Sequence, residues 1–271
     1  MAINVAHPGA GDESAPLPAD PRILEVRDLR IDFGGVHAVN GASFGVPRGV
    51  VTGLIGPNGA GKSTALKLIV GALHPTGGEV IFEGRQITGW APDRIARHGV
   101  IRTFQHSSEF PRLTVMENLL VAAPDQRGVS FLASLGGKRS WRANQNEIVD
   151  RARELLAEFQ MHHAIDEYAG RLSGGQKRLV EIMRALMAQP KLLLLDEPLA
   201  GVNPTLRLTI ERHLLRLRET GLTMVMIEHE LATIERCCDS VIVMAQGRVL
   251  AEGTMGELRE HPEVIDAYLA G

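Results

Sequence analysis

Aromatic residues are scarce in this chain: Phe, Trp and Tyr make up 4% of its 271 positions. Its core must be packed by aliphatic side chains, and each ring stands out. Cysteine is nearly absent. The two present, Cys237 and Cys238, are neighbours, a spacing at which a disulfide is strained, and they are too few for a thiolate metal site. They read as buried or idle thiols of a reducing compartment. There is no surplus of positive charge, with 29 Lys and Arg against 32 Asp and Glu; this removes the bulk electrostatic case for nucleic acid. No apolar run reaches membrane-spanning length. The first residues carry neither the basic nor the apolar region of a secretory signal. The expectation is a soluble protein in the cytoplasm that can dock on a membrane protein. Residues 1–21, rich in Ala, Pro, Gly and Asp, lack periodicity and read as a disordered tail; the folded part is expected over 22–271. That length suits one large α/β domain or two small ones.

Glycine is plentiful, and one stretch uses it for chemistry. Gly56-Pro57-Asn58-Gly59-Ala60-Gly61-Lys62-Ser63-Thr64 fits the phosphate-loop pattern G-x-x-x-x-G-K-[ST]. It follows the apolar run Val50–Ile55 and precedes helical spacing at Ala65, Leu68, Ile69 and Ala72. Strand, glycine loop and helix together aim backbone N–H groups and a helix N-terminus at a polyphosphate. Lys62 then reaches the β- and γ-phosphates. The Ser63 hydroxyl sits on Mg²⁺, and Thr64 bonds a phosphate oxygen.

Four further polar residues fall at the ends of strand-like runs: Gln105 after Val100–Phe104, Asp196 and Glu197 after Leu192–Leu195, and His229 after Thr223–Glu228. Strand ends are where open α/β sheets bind ligands. The unbroken leucine run before Asp196 argues for a parallel strand buried on both faces. Alternation sends Asp196 and Glu197 to opposite sides. Asp196 suits Mg²⁺, and Glu197 suits polarising a water in line with the γ-phosphate. Gln105 suits the metal or the attacking water, and His229 the γ-phosphate. Taken singly, each is better read as a structural or solvated strand end; it is the set of four at strand ends beside the phosphate loop that points to a site. Phe33 is either an adenine platform or a core ring at a strand end. Two spacings are those of capping boxes, Thr114 with Glu117 and Ser173 with Gln176. The second opens a helix with Leu179, Ile182, Met183 and Leu186 on one face. Capping accounts for Ser173 and Gln176, but not for Gly174 and Gly175, whose cost in a first turn makes sense where a ligand meets bare backbone. Helical spacing returns at Glu147 after an irregular insertion over 124–146, and Val241–Gly253 reads as a hairpin.

Together these motifs resemble the nucleotide-binding subunit of an ABC transporter: Walker A at Gly56–Thr64, Q-loop at Gln105, signature at Leu172–Gln176, Walker B at Leu192–Glu197 and H-loop at His229. The resemblance implies an α/β P-loop ATPase core with an antiparallel β subdomain and a helical subdomain inserted at about 106–185. It implies ATP and Mg²⁺ as ligands, Gln105 touching the metal, and Phe33 with Val39 beside the nucleotide base. It further implies a head-to-tail dimer, of identical or paralogous chains, in which Ser173, Gly174, Gly175 and Gln176 act on the partner's ATP. Membrane permease subunits and an extracytoplasmic solute-binding protein complete the expected assembly, with this chain peripheral on the cytoplasmic face. A narrower resemblance, to branched-chain amino acid importers, rests on Phe33-Gly34-Gly35, Arg102–Gln105, Gly201–Pro204 and the ending His261–Leu269. Two residues depart from pattern: Asn203 stands where ABC proteins generally carry Asp, and Gly174 where the branched-chain group often has another residue. Urea uptake and lipopolysaccharide export are the sister functions. A translation-type ABC clamp is opposed by the single motif set, and a repair-type clamp by the short span from Thr64 to Leu172, which has no room for a long coiled coil. A small-molecule kinase is opposed by the signature helix.

Overall fold

The computed structural model describes residues 22–103, 109–124 and 138–269, with backbone alone at 138–144 and 267–269. The expected N-terminal tail, Gln105 and most of the 124–146 insertion lie outside the described residues. The chain opens with β1 (Arg22–Phe33), β2 (Val36–Pro47) and β3 (Val51–Ile55). The phosphate loop, α1 (Lys62–Ile69), β4 (Gly77–Phe82), β5 (Arg85–Gln86), α2 (Pro92–Arg97) and β6 (Val100–Arg102) follow. Three helices, α3 (Val115–Ala122), α4 (Lys138–Glu158) and α5 (Gly174–Met187), precede β7 (Leu192–Asp196). The remainder runs α6 (Pro204–Glu219), β8 (Thr223–Ile227), α7 (Leu231–Cys237), β9 (Ser240–Ala245), β10 (Arg248–Gly253), α8 (Met255–Arg259) and α9 (Pro262–Leu269).

The strands form two sheets, an antiparallel one ordered β2-β1-β4-β5 and a six-stranded one ordered β10-β9-β3-β8-β7-β6. The second is parallel except for the β9–β10 hairpin. Its central strands β3, β8 and β7 are buried along their whole length, and each face packs a different core. Leu193 and Leu195 of β7 join α3 to α6 in one core, while Leu192 and Leu194 join α1 and the antiparallel sheet in the other. Parallel strands all point one way, so β3, β7 and β8 deliver the phosphate loop, Asp196 and Ile227 to the same edge.

The helix starts follow their capping chemistry. Glu117 N donates to Thr114 Oγ1 at 3.1 Å while Glu117 Oε2 accepts from Thr114 N at 2.8 Å. Gln176 N donates to Ser173 Oγ and Gln176 Oε1 accepts from Ser173 N, at 3.3 and 3.0 Å. Asn203 caps α6, its Oδ1 accepting from Leu206 N at 3.0 Å; an amide oxygen serves this cap as a carboxylate would. The structure adds α6 and α7 to the helices read from sequence, and α4 begins nine residues before Glu147, within a polar stretch that shows no apolar period.

Candidate active site

A cavity of about 400 Å³ opens at the C-terminal ends of the parallel strands, lined by Asn58 to Thr64, by Val36, His37 and Ala38 of β2, and by Glu197 and His229. Lys62 closes the loop on itself: Nζ donates to Gly56 O at 2.7 Å and Pro57 O at 2.9 Å. Gly56 and Pro57 thus lie beneath the cavity and hold the lysine. Burial pushes the Lys62 ammonium below its ordinary value, while the nearby carboxylates Glu197 and Asp196 pull it back up. A cation hydrogen-bonded to carbonyl dipoles in a partly desolvated cleft favours an incoming polyanion.

Asp196 is fully buried at the end of β7. Its Oδ1 accepts from Ser63 Oγ at 3.2 Å and its Oδ2 from Arg102 Nη2 at 2.6 Å. Glu197 is the first residue past the strand, with φ +50°. That left-handed turn, rather than strand alternation alone, separates it from Asp196. The Glu197 carboxylate comes out beside His229, Oε1 to Nε2 3.0 Å. Below this pair, Glu228 is buried and its Oε1 accepts from Leu199 N at 2.8 Å; desolvation raises its carboxyl above the ordinary value.

Residues 39–200 match the family model described as "ABC transporter". That span covers both Walker motifs and the signature helix. The chain belongs to the ABC transporter family. Residues 248–269 match a second model, "Branched-chain amino acid ATP-binding cassette transporter". The chain is 40% identical over 248 residues to the high-affinity branched-chain amino acid transport ATP-binding protein BraF of Pseudomonas aeruginosa, covering 91% of this chain and 97% of that one. It is 38% identical over 248 residues to the probable branched-chain amino acid transport ATP-binding protein LivG of Archaeoglobus fulgidus, covering 92% and 95%. Among solved structures, a nucleotide-free ATP-binding cassette from an ABC transporter superposes with a TM-score of 0.79 at 39% identity, covering 92% of this chain and 99% of that one. The ADP conformation of the cassette MJ1267 gives 0.79 at 38% identity, covering 93% and 100%.

As an ABC ATPase the chain binds and hydrolyses ATP, and the remaining site residues can be placed on that footing. Phe33 is 48% exposed at the tip of the β1–β2 hairpin, so it is not a core ring; its neighbours Val36, His37 and Ala38 form the cavity wall. Val39 departs from expectation. The pleat turns its side chain into the core, 0% exposed, and Ala38 faces the cavity in its place. Ser173 to Gln176 lie apart from this cavity, with Ser173 and Gly174 exposed at the start of α5. A Cβ on Gly174 would meet nothing within 4 Å, whereas one on Gly175 would strike Leu206 Cδ2 at 2.2 Å. Packing within the chain therefore gives no reason for a glycine at 174, whereas Gly175 must be small because Leu206 of α6 packs against it. Ser63 and Asp196 offer adjacent hard oxygens, which fits Mg²⁺.

A larger cleft of about 450 Å³ lies at the opposite, N-terminal ends of β7 and β8. Two of its cations, Arg48 and Lys191, are already paired with Glu83, and no phosphate-binding loop borders it. Among the described residues, no helix is long and apolar enough to cross a membrane.

Proposed function

We propose that this chain powers uptake of branched-chain amino acids. It acts as a peripheral ATPase on the cytoplasmic face of the membrane, together with separate permease subunits and an extracytoplasmic solute-binding protein. The carrying observation is the match of residues 248–269 to the branched-chain model; the relatives named for that transport span most of the chain.

In this reading two copies, or this chain and a paralogue, close head to tail. Each ATP lies between one chain's cavity and the other's Ser173, Gly174, Gly175 and Gln176, which the inserted helical subdomain of about 106–185 presents outward. Phe33 stacks on the adenine. The N–H groups of Asn58 to Thr64 and the Lys62 ammonium hold the phosphates. Ser63, Asp196 and Gln105 hold Mg²⁺, which when bound neutralises charge on the phosphates. Glu197 takes a proton from the attacking water, and His229, hydrogen-bonded to that carboxylate, keeps it aimed at the γ-phosphate.

The test is an uptake panel in source cells carrying Glu197→Gln, with labelled leucine, isoleucine, valine and urea. Loss of the three amino acids alone is the expected result. Loss of urea alone, or no change in any of them, overturns the cargo. On the purified protein the same substitution removes turnover and leaves ATP bound; turnover at the parent rate overturns Glu197 as the base.

A further inference from the structure

Arg178 lies in the second turn of α5 with its guanidinium buried against the end of β7. Its Nε donates to Pro198 O at 3.0 Å. Nη2 donates to Glu197 O and, at 3.4 Å, to Asp196 O. Nη1 donates to Glu181 Oε2 at 2.5 Å. In an extended strand successive carbonyls point alternately to either side, so one side chain cannot gather three in a row. Here the chain leaves β7 through the left-handed turn at Glu197, and three consecutive carbonyls face one guanidinium. That turn is a conformation non-glycine residues hold only when their surroundings impose it. Three groups hold it. Glu197 N is fixed to Ile227 O at 3.0 Å and Glu197 O accepts from Ala200 N at 3.1 Å, while the arginine fork, anchored by Glu181, ties that carbonyl to its neighbours at Asp196 and Pro198.

We infer that Arg178 is a positioning residue for hydrolysis: it holds the backbone turn that aims the Glu197 carboxylate at His229 and the cavity. The guanidinium spreads five N–H donors over a fixed plane and so reaches the three carbonyls and Glu181 together, whereas the three donors of a lysine radiate from one nitrogen and cannot span all four acceptors. Misaimed by even a fraction of an ångström, a general base loses much of its effect while substrate binding elsewhere is untouched. The signature residues Ser173 to Gln176 begin this same helix. On the dimer reading above, the helix that meets the partner's ATP also sets the base of its own chain's site.

The experiment is steady-state ATP hydrolysis by the full chain bearing Arg178→Lys, with thermal unfolding alongside. The expected result is a fall of tenfold or more in kcat, with KM for ATP within threefold of the parent and a folded protein. In a Glu197→Gln background the same substitution should change the residual rate less than twofold, because both act through one carboxylate. Retention of kcat within twofold overturns the inference, as does an equal loss in the Glu197→Gln background or a joint collapse of kcat, KM and melting temperature. Should Arg178→Lys not fold, the pair Arg178→Met/Glu181→Gln removes both buried charges together and is read by the same criteria. The inference rests on Glu197 as the base. Glu197→Gln at the parent rate overturns that reading and this one with it, whereas an inactive Glu197→Gln beside a fully active Arg178→Lys overturns this one alone.

Discussion

Gly59 and Gly61 make a matched pair within the phosphate loop. Both have positive φ, +79° and +95°, so an alanine at either costs roughly 1–2 kcal/mol in backbone strain. Their surroundings differ. A Cβ at 59 meets nothing within 4 Å, because it projects into open space at the cavity wall. A Cβ at 61 would lie 2.3 Å from Ala38 O. That carbonyl cannot retreat freely: β2 is clamped there by Asn40 N to Gly247 O at 2.8 Å, and Gly247 N in turn bonds Ala60 O at 3.1 Å. Forcing a methyl into such a place adds about 1–3 kcal/mol. At roughly 2–4 °C per kcal/mol for a chain of this size, Gly59→Ala should lower the melting temperature by about 5 °C and Gly61→Ala by about 10 °C or more. The order reverses in binding for equal amounts of folded protein. Gly59 lines the cavity, where on the proposed function the phosphates meet the loop, so Gly59→Ala should weaken ATP binding more than tenfold. Differential scanning fluorimetry and equilibrium titration with a fluorescent nucleotide read the two effects. A Gly61→Ala protein as stable as Gly59→Ala would refute the clash argument; unchanged nucleotide affinity in Gly59→Ala would refute the placement of the phosphates.

Two further predictions concern buried charge. His213 of α6 is 3% exposed, stacks on Phe159, the residue just past α4, at 4.3 Å and sits between Arg212 and Arg216; burial above all, then the two arginines, pushes its pKa from 6.5 to about 4. The unfolded chain therefore takes up this proton first. The stability of the neutral imidazole is fully present above 6.5 and is lost as pH falls towards 4, by up to about 3 kcal/mol; His213→Gln should flatten that limb of a melting-temperature profile, and an unchanged profile would contradict it. Arg102→Met should cost about 3 kcal/mol in urea denaturation, because it strands the carboxylate of Asp196; Arg102→Met/Asp196→Asn should recover part of that loss, and a cost below about 1 kcal/mol for the single change would show the pair to be idle.

The features legible in the sequence were those whose cause is local. The phosphate loop, the capping serine and threonine, the leucine run of β7 and the β9–β10 hairpin each carry their reason within a few residues. The sequence shows Arg102 only as part of a family motif and gives Arg178 no role, because their partners are remote along the chain: Arg102 meets Asp196 and Arg178 the carbonyls beyond it. On a helix rich in charge, an arginine beside Lys177 reads as a solvated face. The cavity wall at Val36, His37 and Ala38 carries no motif at all; the pairing of β2 with β1 puts it there. Val39 was misplaced by one residue, which in a strand is the difference between the two faces. Gly175 was legible as unusual, but not its neighbour Leu206, which arrives on α6.

β7 is the party wall between the two cores. Its odd-numbered leucines belong to the helical side and its even-numbered ones to the side of the antiparallel sheet, and the wall ends at Asp196 and Glu197. A void opened on either side loosens the same masonry. Core substitutions such as Leu193→Ala and Leu194→Ala, though they face unrelated neighbours, should therefore be alike in effect, with damage to either core arriving at Asp196 and Glu197. An ATPase built this way has no silent half: its turnover is a gauge of the soundness of both.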